Sequence, residues 1–126
     1  MNTEEFSSKL IDAQNLKHQE KYDKALQLLE TLKEIEKAGD FDYSLTHKLY
    51  QLLSNSKSLY NQQIILNKIK KISQNENSIS LIDLNKRIKE ENNLELELSI
   101  LKREIELLIL RSLVKCQIEG DNLIIN

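Results

Sequence analysis

No proline interrupts this 126-residue chain, and only two glycines, Gly39 and Gly120, relax it. An all-β sandwich draws on turn residues about every 8–12 positions, so the sequence argues against that class. A glycine-rich phosphate loop is excluded on the same ground. A mainly helical chain is what remains. Its residue usage is skewed, with 15 Ile and 23 Leu against 3 Ala and one Val. That skew fits an AT-rich coding sequence, so where the two glycines stand says more than how few they are.

Apolar spacing of three and four marks the helices. Residues 3–18 carry Phe6, Leu10, Ala13 and Leu16, with Thr3 as the expected N-cap and Glu4 and Glu5 in the first turn. Residues 22–37 repeat the pattern at Tyr22, Ala25, Leu26, Leu29, Leu32 and Ile35, and Gly39 is expected as a left-handed C′ residue. A third helix is expected over 44–54, a polar joint at 54–58, and a fourth helix over 59–73. Residues 73–78 read as a loop, and Ile79 as a buried residue in an extended link. Ser80 then caps a helix over 81–91 with Leu81, Leu84 and Ile88 inward, and Asn92-Asn93 ends it. In 94–114, 12 of 21 residues are apolar. Leu94, Leu96, Leu98 and Ile100 alternate like a strand, but strong helix formers favour a helix over 94–113. The apolar run 107–110 covers every side of such a helix, so the chain or a partner must enclose it. The end reads as a β-hairpin: alternation from Val114 to Glu119, a Gly120-Asp121-Asn122 turn, then Leu123-Ile124-Ile125.

Function classes narrow next. The longest apolar run is far short of the ~18 residues that cross a membrane, and the acidic start predicts no secretory leader. One cysteine, Cys116, forms no internal disulfide, which predicts an intracellular setting, cytoplasmic or nuclear. Net charge is −2, but 43–75 holds five lysines and no acid. His18 and His47 lack any catalytic or metal-binding spacing, and Cys116 reads as a small core residue sharing a face with Val114 and Ile118. Glu95, Glu97, Glu104 and Glu106 read as a solvated face. The chain is therefore expected to be no enzyme, with no catalytic, cofactor-binding or metal-binding residue.

Four stretches carry a family resemblance. Ile79-Ser80-Leu81-Ile82-Asp83-Leu84 resembles the opening "ISL-x-x-L" of the winged helix in the PCI domain. Arg103-Glu104-Ile105-Glu106, with Leu108-Ile109 and Ser112-Leu113, is similar to that family's recognition-helix pattern, and Ile118-Glu119-Gly120-Asp121 to its wing. Residues 21–29 resemble a tetratricopeptide-like repeat. The resemblance implies a mainly α fold, with helical-repeat (TPR-like) hairpins over 1–57. A winged-helix subdomain with a small C-terminal β-hairpin would follow over 58–126.

It further implies a scaffold subunit of a larger assembly, such as the proteasome lid, the signalosome or a translation-initiation complex, with other protein subunits as partners. The expected contacts are Leu107 and Leu110 on the apolar helix and Leu123, Ile124 and Ile125 on a terminal strand read as the sheet edge. The alternative is a winged-helix nucleic-acid or ribosome-associated factor using the basic helix 59–73 through Lys68, Lys70 and Lys71. Reading of DNA by the 94–113 helix is disfavoured by its acids (95, 97, 104 and 106). A third reading makes 94, 98, 101, 105 and 108 a short coiled-coil seam.

Overall fold

The computed structural model describes residues 1–125. Among them the fold is mainly helical, with a small three-stranded antiparallel sheet. The order is α1 (Thr3–His18), α2 (Tyr22–Ala38), α3 (Tyr43–Ile72), β1 (Ser78–Ser80), α4 (Leu81–Asn92), α5 (Leu98–Leu110), β2 (Cys116–Glu119) and β3 (Asn122–Ile125). The chain divides into two compact units, residues 1–60 and 61–126, so the division falls inside α3.

In the first unit α1 and α2 pack against each other, and Phe6, Leu10, Ala13, Leu29, Leu32, Leu49, Leu52 and Leu53 form the core. Asn2 rather than Thr3 caps α1: its Oδ1 accepts from the Glu5 amide at 2.8 Å. Asn reaches the third helical amide as well as Thr does, and Thr3 is left as the first helical residue. After α1, Lys21 N–H bonds Leu16 C=O at 2.9 Å and Glu20 N–H bonds Lys17 C=O at 3.0 Å. This is a Schellman ending, with Glu20 in the left-handed position at φ 62°. Gly39, expected to be left-handed, is extended (φ −114°, ψ −176°). What requires glycine there is space, because a Cβ would lie 2.5 Å from the Phe41 ring.

The joint expected at 54–58 does not form; α3 runs through it. Nothing in Ser54-Asn55-Ser56-Lys57-Ser58 breaks a helix, and the buried stripe continues across it. Leu49, Leu53 and Ser56 follow at spacings of four and three, with Ser56 fully buried.

The core of the second unit gathers Ile65, Ile69 and Ile72 of α3 with Ile79, Leu81, Leu84 and Ile88. Leu101, Ile105 and Leu108 of α5 and Cys116, Leu123 and Ile125 of the hairpin complete it. Ser80 caps α4 as the sequence suggests, its Oγ accepting from the Asp83 amide at 3.1 Å, and Asn93 ends the helix left-handed at φ 53°. The long helix expected over 94–113 is shorter. Residues 94–97 lie outside it, with Leu94 and Leu96 half-buried against the core and Glu95 and Glu97 exposed. The alternation over 94–97 therefore marks burial and not helix, with both leucines turned to the core and both acids to solvent. The same shift removes position 94 from any helical seam. At its other end α5 closes in a second Schellman motif. Leu113 N–H bonds Leu108 C=O and Ser112 N–H bonds Ile109 C=O, with Ser112 at φ 59°.

Candidate functional site

The C-terminal hairpin was expected to offer its last strand as an edge. Instead the strand order is β1-β3-β2, so β3 is the middle strand. Ile79 pairs with Leu123 on one side, and Ile118 pairs with Leu123 on the other. Leu123 is fully buried and Ile125 is 7% exposed, which makes both core residues and corrects their assignment as partner contacts. Ile124 faces the opposite side of the sheet and is half-buried between Ser78 and Gln117. The sequence signal was ambiguous because three consecutive apolar residues mark a strand without saying how many neighbours it has. The missing neighbour is the three-residue β1, too short for period-two alternation to register.

β1 and β2 are therefore the two edge strands, and the longer edge, four residues against three, belongs to β2. Glu119 and Asn122 flank the two-residue turn at Gly120 (φ 60°) and Asp121. In such a hairpin the flanking residues exchange hydrogen bonds, as do Gln117 and Ile124 two positions on. The backbone groups of Cys116 and Ile118 then point away from β3. The β3–β1 ladder has the complementary phase: Ile125 N–H bonds Asn77 C=O at 2.7 Å and Leu81 N–H bonds Asp121 C=O at 2.8 Å. Cys116 is buried, with Val114 and Ile118 packed beside it on the core, as alternation suggested. Burial raises its thiol pKa, which suppresses thiolate reactivity.

At the end of α5 the run 107–110 is only partly enclosed. Leu108 is buried, Leu107 and Ile109 are half-buried, and Leu110 is 79% exposed. Leu113 beyond it is exposed too. The guanidinium of Arg111 donates to Oε1 of Gln62, tying this end to α3.

Lys68, Lys70 and Lys71 line one groove at the end of α3, but only the last two are exposed. Lys68 is buried, and its ammonium pairs with the Glu91 carboxylate of α4. This corrects its reading as a nucleic-acid contact, since the helical stripe that buries Ile65, Ile69 and Ile72 carries Lys68 inward too. Lys70 and Lys71 are exposed in the last turn of α3, where cations complement the helix dipole. The hydrogen bond from Lys68 lowers the Glu91 pKa, helped by the nearby charges of Lys68 and Lys71. A second ion pair joins the loop after α3 to α4: Arg87 Nη1 and Nη2 lie 2.7 and 3.3 Å from the two oxygens of Glu76. The Arg87 hydrogen bond lowers the Glu76 pKa.

The acids read as a solvated face also separate. Glu95 and Glu97 precede α5, Glu106 is exposed, and Glu104 is fully buried, with Arg103 Nε 3.4 Å away. The exposed charges of α5 are thus Lys102, Arg103 and Glu106, and the acidic character that argued against nucleic acid is absent from this helix. His18 and His47 are exposed, and the His47 ring stacks at 6.2 Å on Tyr43. Among the described residues no helix is long and apolar enough to cross a membrane. In comparisons with known proteins, no family model, no curated protein and no solved structure matches the chain.

Proposed function

We propose that the chain is a non-enzymatic scaffold subunit of a larger multiprotein assembly of the PCI type. The first unit reads as TPR-like helical hairpins and the second as a winged helix. One observation supports the reading: the order helix, β1, α4, α5, β2, β3 with sheet order β1-β3-β2 agrees with a winged-helix succession, and β2 is an edge strand of that sheet. Partner subunits would add a strand along Cys116–Glu119, the outward amides of Cys116 and Ile118 supplying the ladder. The exposed Leu110 and half-buried Leu107 offer a second contact at the end of α5. An intracellular setting, cytoplasmic or nuclear, belongs to the same reading.

Ile118→Pro tests it. The Ile118 amide is not used by the β2–β3 ladder, so proline there blocks strand addition without removing an internal bond. The tagged chain should co-purify with discrete protein subunits that Ile118→Pro releases, while far-UV circular dichroism stays helical. A wild-type chain that remains a monomer without subunits, or an Ile118→Pro variant that retains them, overturns the proposal.

A further inference from the structure

The second residue of α4 is out of place for folding. Leu81 and Leu84 supply the buried face there, yet Ile82 is 62% exposed. It lines a groove of about 440 Å³ together with half-buried Leu96 and with Leu98, which is itself 38% exposed. The far wall is fixed, because Asn85 Nδ2 donates to the Leu96 carbonyl at 2.8 Å. The rim is basic. Lys86 and Lys89 border the groove, and the one acid there, Glu95, is paired with Lys89 at 3.0 Å. Lys86 makes no ion pair among the described residues. Glu97, exposed between Leu96 and Leu98, is the N-cap of α5, so the cation left for a partner to pair is Lys86.

We propose that this groove is a docking site for a partner-protein segment that combines apolar side chains with carboxylates. The inference deepens the assembly reading by adding a further contact, on α4 and the 94–98 segment, separate from the β2 edge. Apolar side chains would cover Ile82, Leu96 and Leu98, and carboxylates would meet Lys86. A second copy fits less well: the most exposed leucine of this chain, Leu110, is followed by Arg111, which would bring a cation to a basic rim.

The test titrates the isotope-labelled full chain with three short fluorescent peptides: Leu/Phe with Asp/Glu, the same with Lys in place of the acids, and the same with Ser in place of Leu/Phe. The acidic apolar peptide should bind and shift the amides of Ile82, Lys86 and Leu98, and the other two should not. Ile82→Asp and Lys86→Glu should each weaken binding about tenfold or more. Ile82 faces solvent, so these variants should fold, as circular dichroism will report. Ile118→Pro should leave peptide binding unchanged, so that failure of the groove and failure of the strand edge are read separately. Absence of binding, equal binding of the three peptides, or unaltered affinity in both variants overturns the proposal. So does concentration-dependent self-association abolished by Ile82→Asp, which would make a second copy the occupant.

Discussion

Replacing Gly39 with Ala places a methyl group where the structure has no room. The backbone is extended, a conformation any residue adopts, so no dihedral strain arises. The new Cβ would lie 2.5 Å from Phe41 Cε2, 3.1 Å from Cδ2 and 3.2 Å from the Ile35 carbonyl oxygen. Comfortable carbon–carbon contact begins near ~3.5 Å. The Phe41 ring is held by stacking on Phe6 at 4.3 Å, and Phe6 is fully buried, so the ring retreats only by loosening that stack. Overpacking costs about 1–3 kcal/mol, and loss of glycine's freedom in the unfolded chain returns about 0.4–1 kcal/mol. The net expectation is a loss of about 0.5–2 kcal/mol. Urea denaturation followed by far-UV circular dichroism should show a lower midpoint at unchanged slope. Adding Phe41→Leu should recover part of the loss, giving a measurable coupling between the two positions. Gly39→Asn separates this account from the left-handed cap expected from the sequence. A left-handed C′ site would rank Asn above Ala, whereas crowding ranks Asn at or below Ala. A neutral or stabilising Gly39→Ala, or Asn ranking above Ala, would mean that crowding by Phe41 does not set this position.

The other left-handed positions invite the opposite substitution. Glu20→Gly and Ser112→Gly should each stabilise by about 0.5–1 kcal/mol, since relief of left-handed strain exceeds glycine's entropic cost; urea midpoints check this. Leu123→Ala should cost about 2–5 kcal/mol and Ile124→Ala about 1 kcal/mol or less, because only the former empties the core. Similar losses at both sites, again by denaturation, would contradict the assignment of the middle strand. Stability should also fall in acid. Glu76 and Glu91 have folded-state pKa values below their unfolded ones, so their contribution is present above the unfolded value of ~4.3 and disappears as pH drops through the folded values. Urea midpoints measured from neutral pH into acid should decline less for Glu76→Gln and Glu91→Gln than for the wild type.

Helices, the Ser80 cap, the inward face of α4, the turning role of Gly120 and the terminal hairpin were legible because each rests on local spacing or a local residue preference. What was not legible depends on partners distant in sequence. Ser54 to Ser58 looks like a joint to a local reading, but Ser56 continues the buried stripe of Leu49 and Leu53. Glu20 and Ser112 end helices in a conformation that sequence reasoning assigns to glycine, and only the Schellman hydrogen bonds disclose them. The site followed the same division. That β3 is apolar was visible; that β1 closes its other side was not, since β1 has three residues. Lys68 reads as one of a cationic trio until Glu91 of α4 is set beside it. Ile82 drew no notice as part of an "ISL-x-x-L" pattern, because nothing local says that of its apolar residues this one is left in solvent.

Hydrogen exchange along β2, read amide by amide in the isolated chain and in its co-purified assembly, bears most directly on the proposed edge. Ile118 should exchange quickly in the isolated chain and become protected in the assembly, while Gln117 and Glu119 stay protected in both, held by β3. An Ile118 amide protected in the isolated chain, or one that still exchanges quickly inside the assembly, would contradict the account.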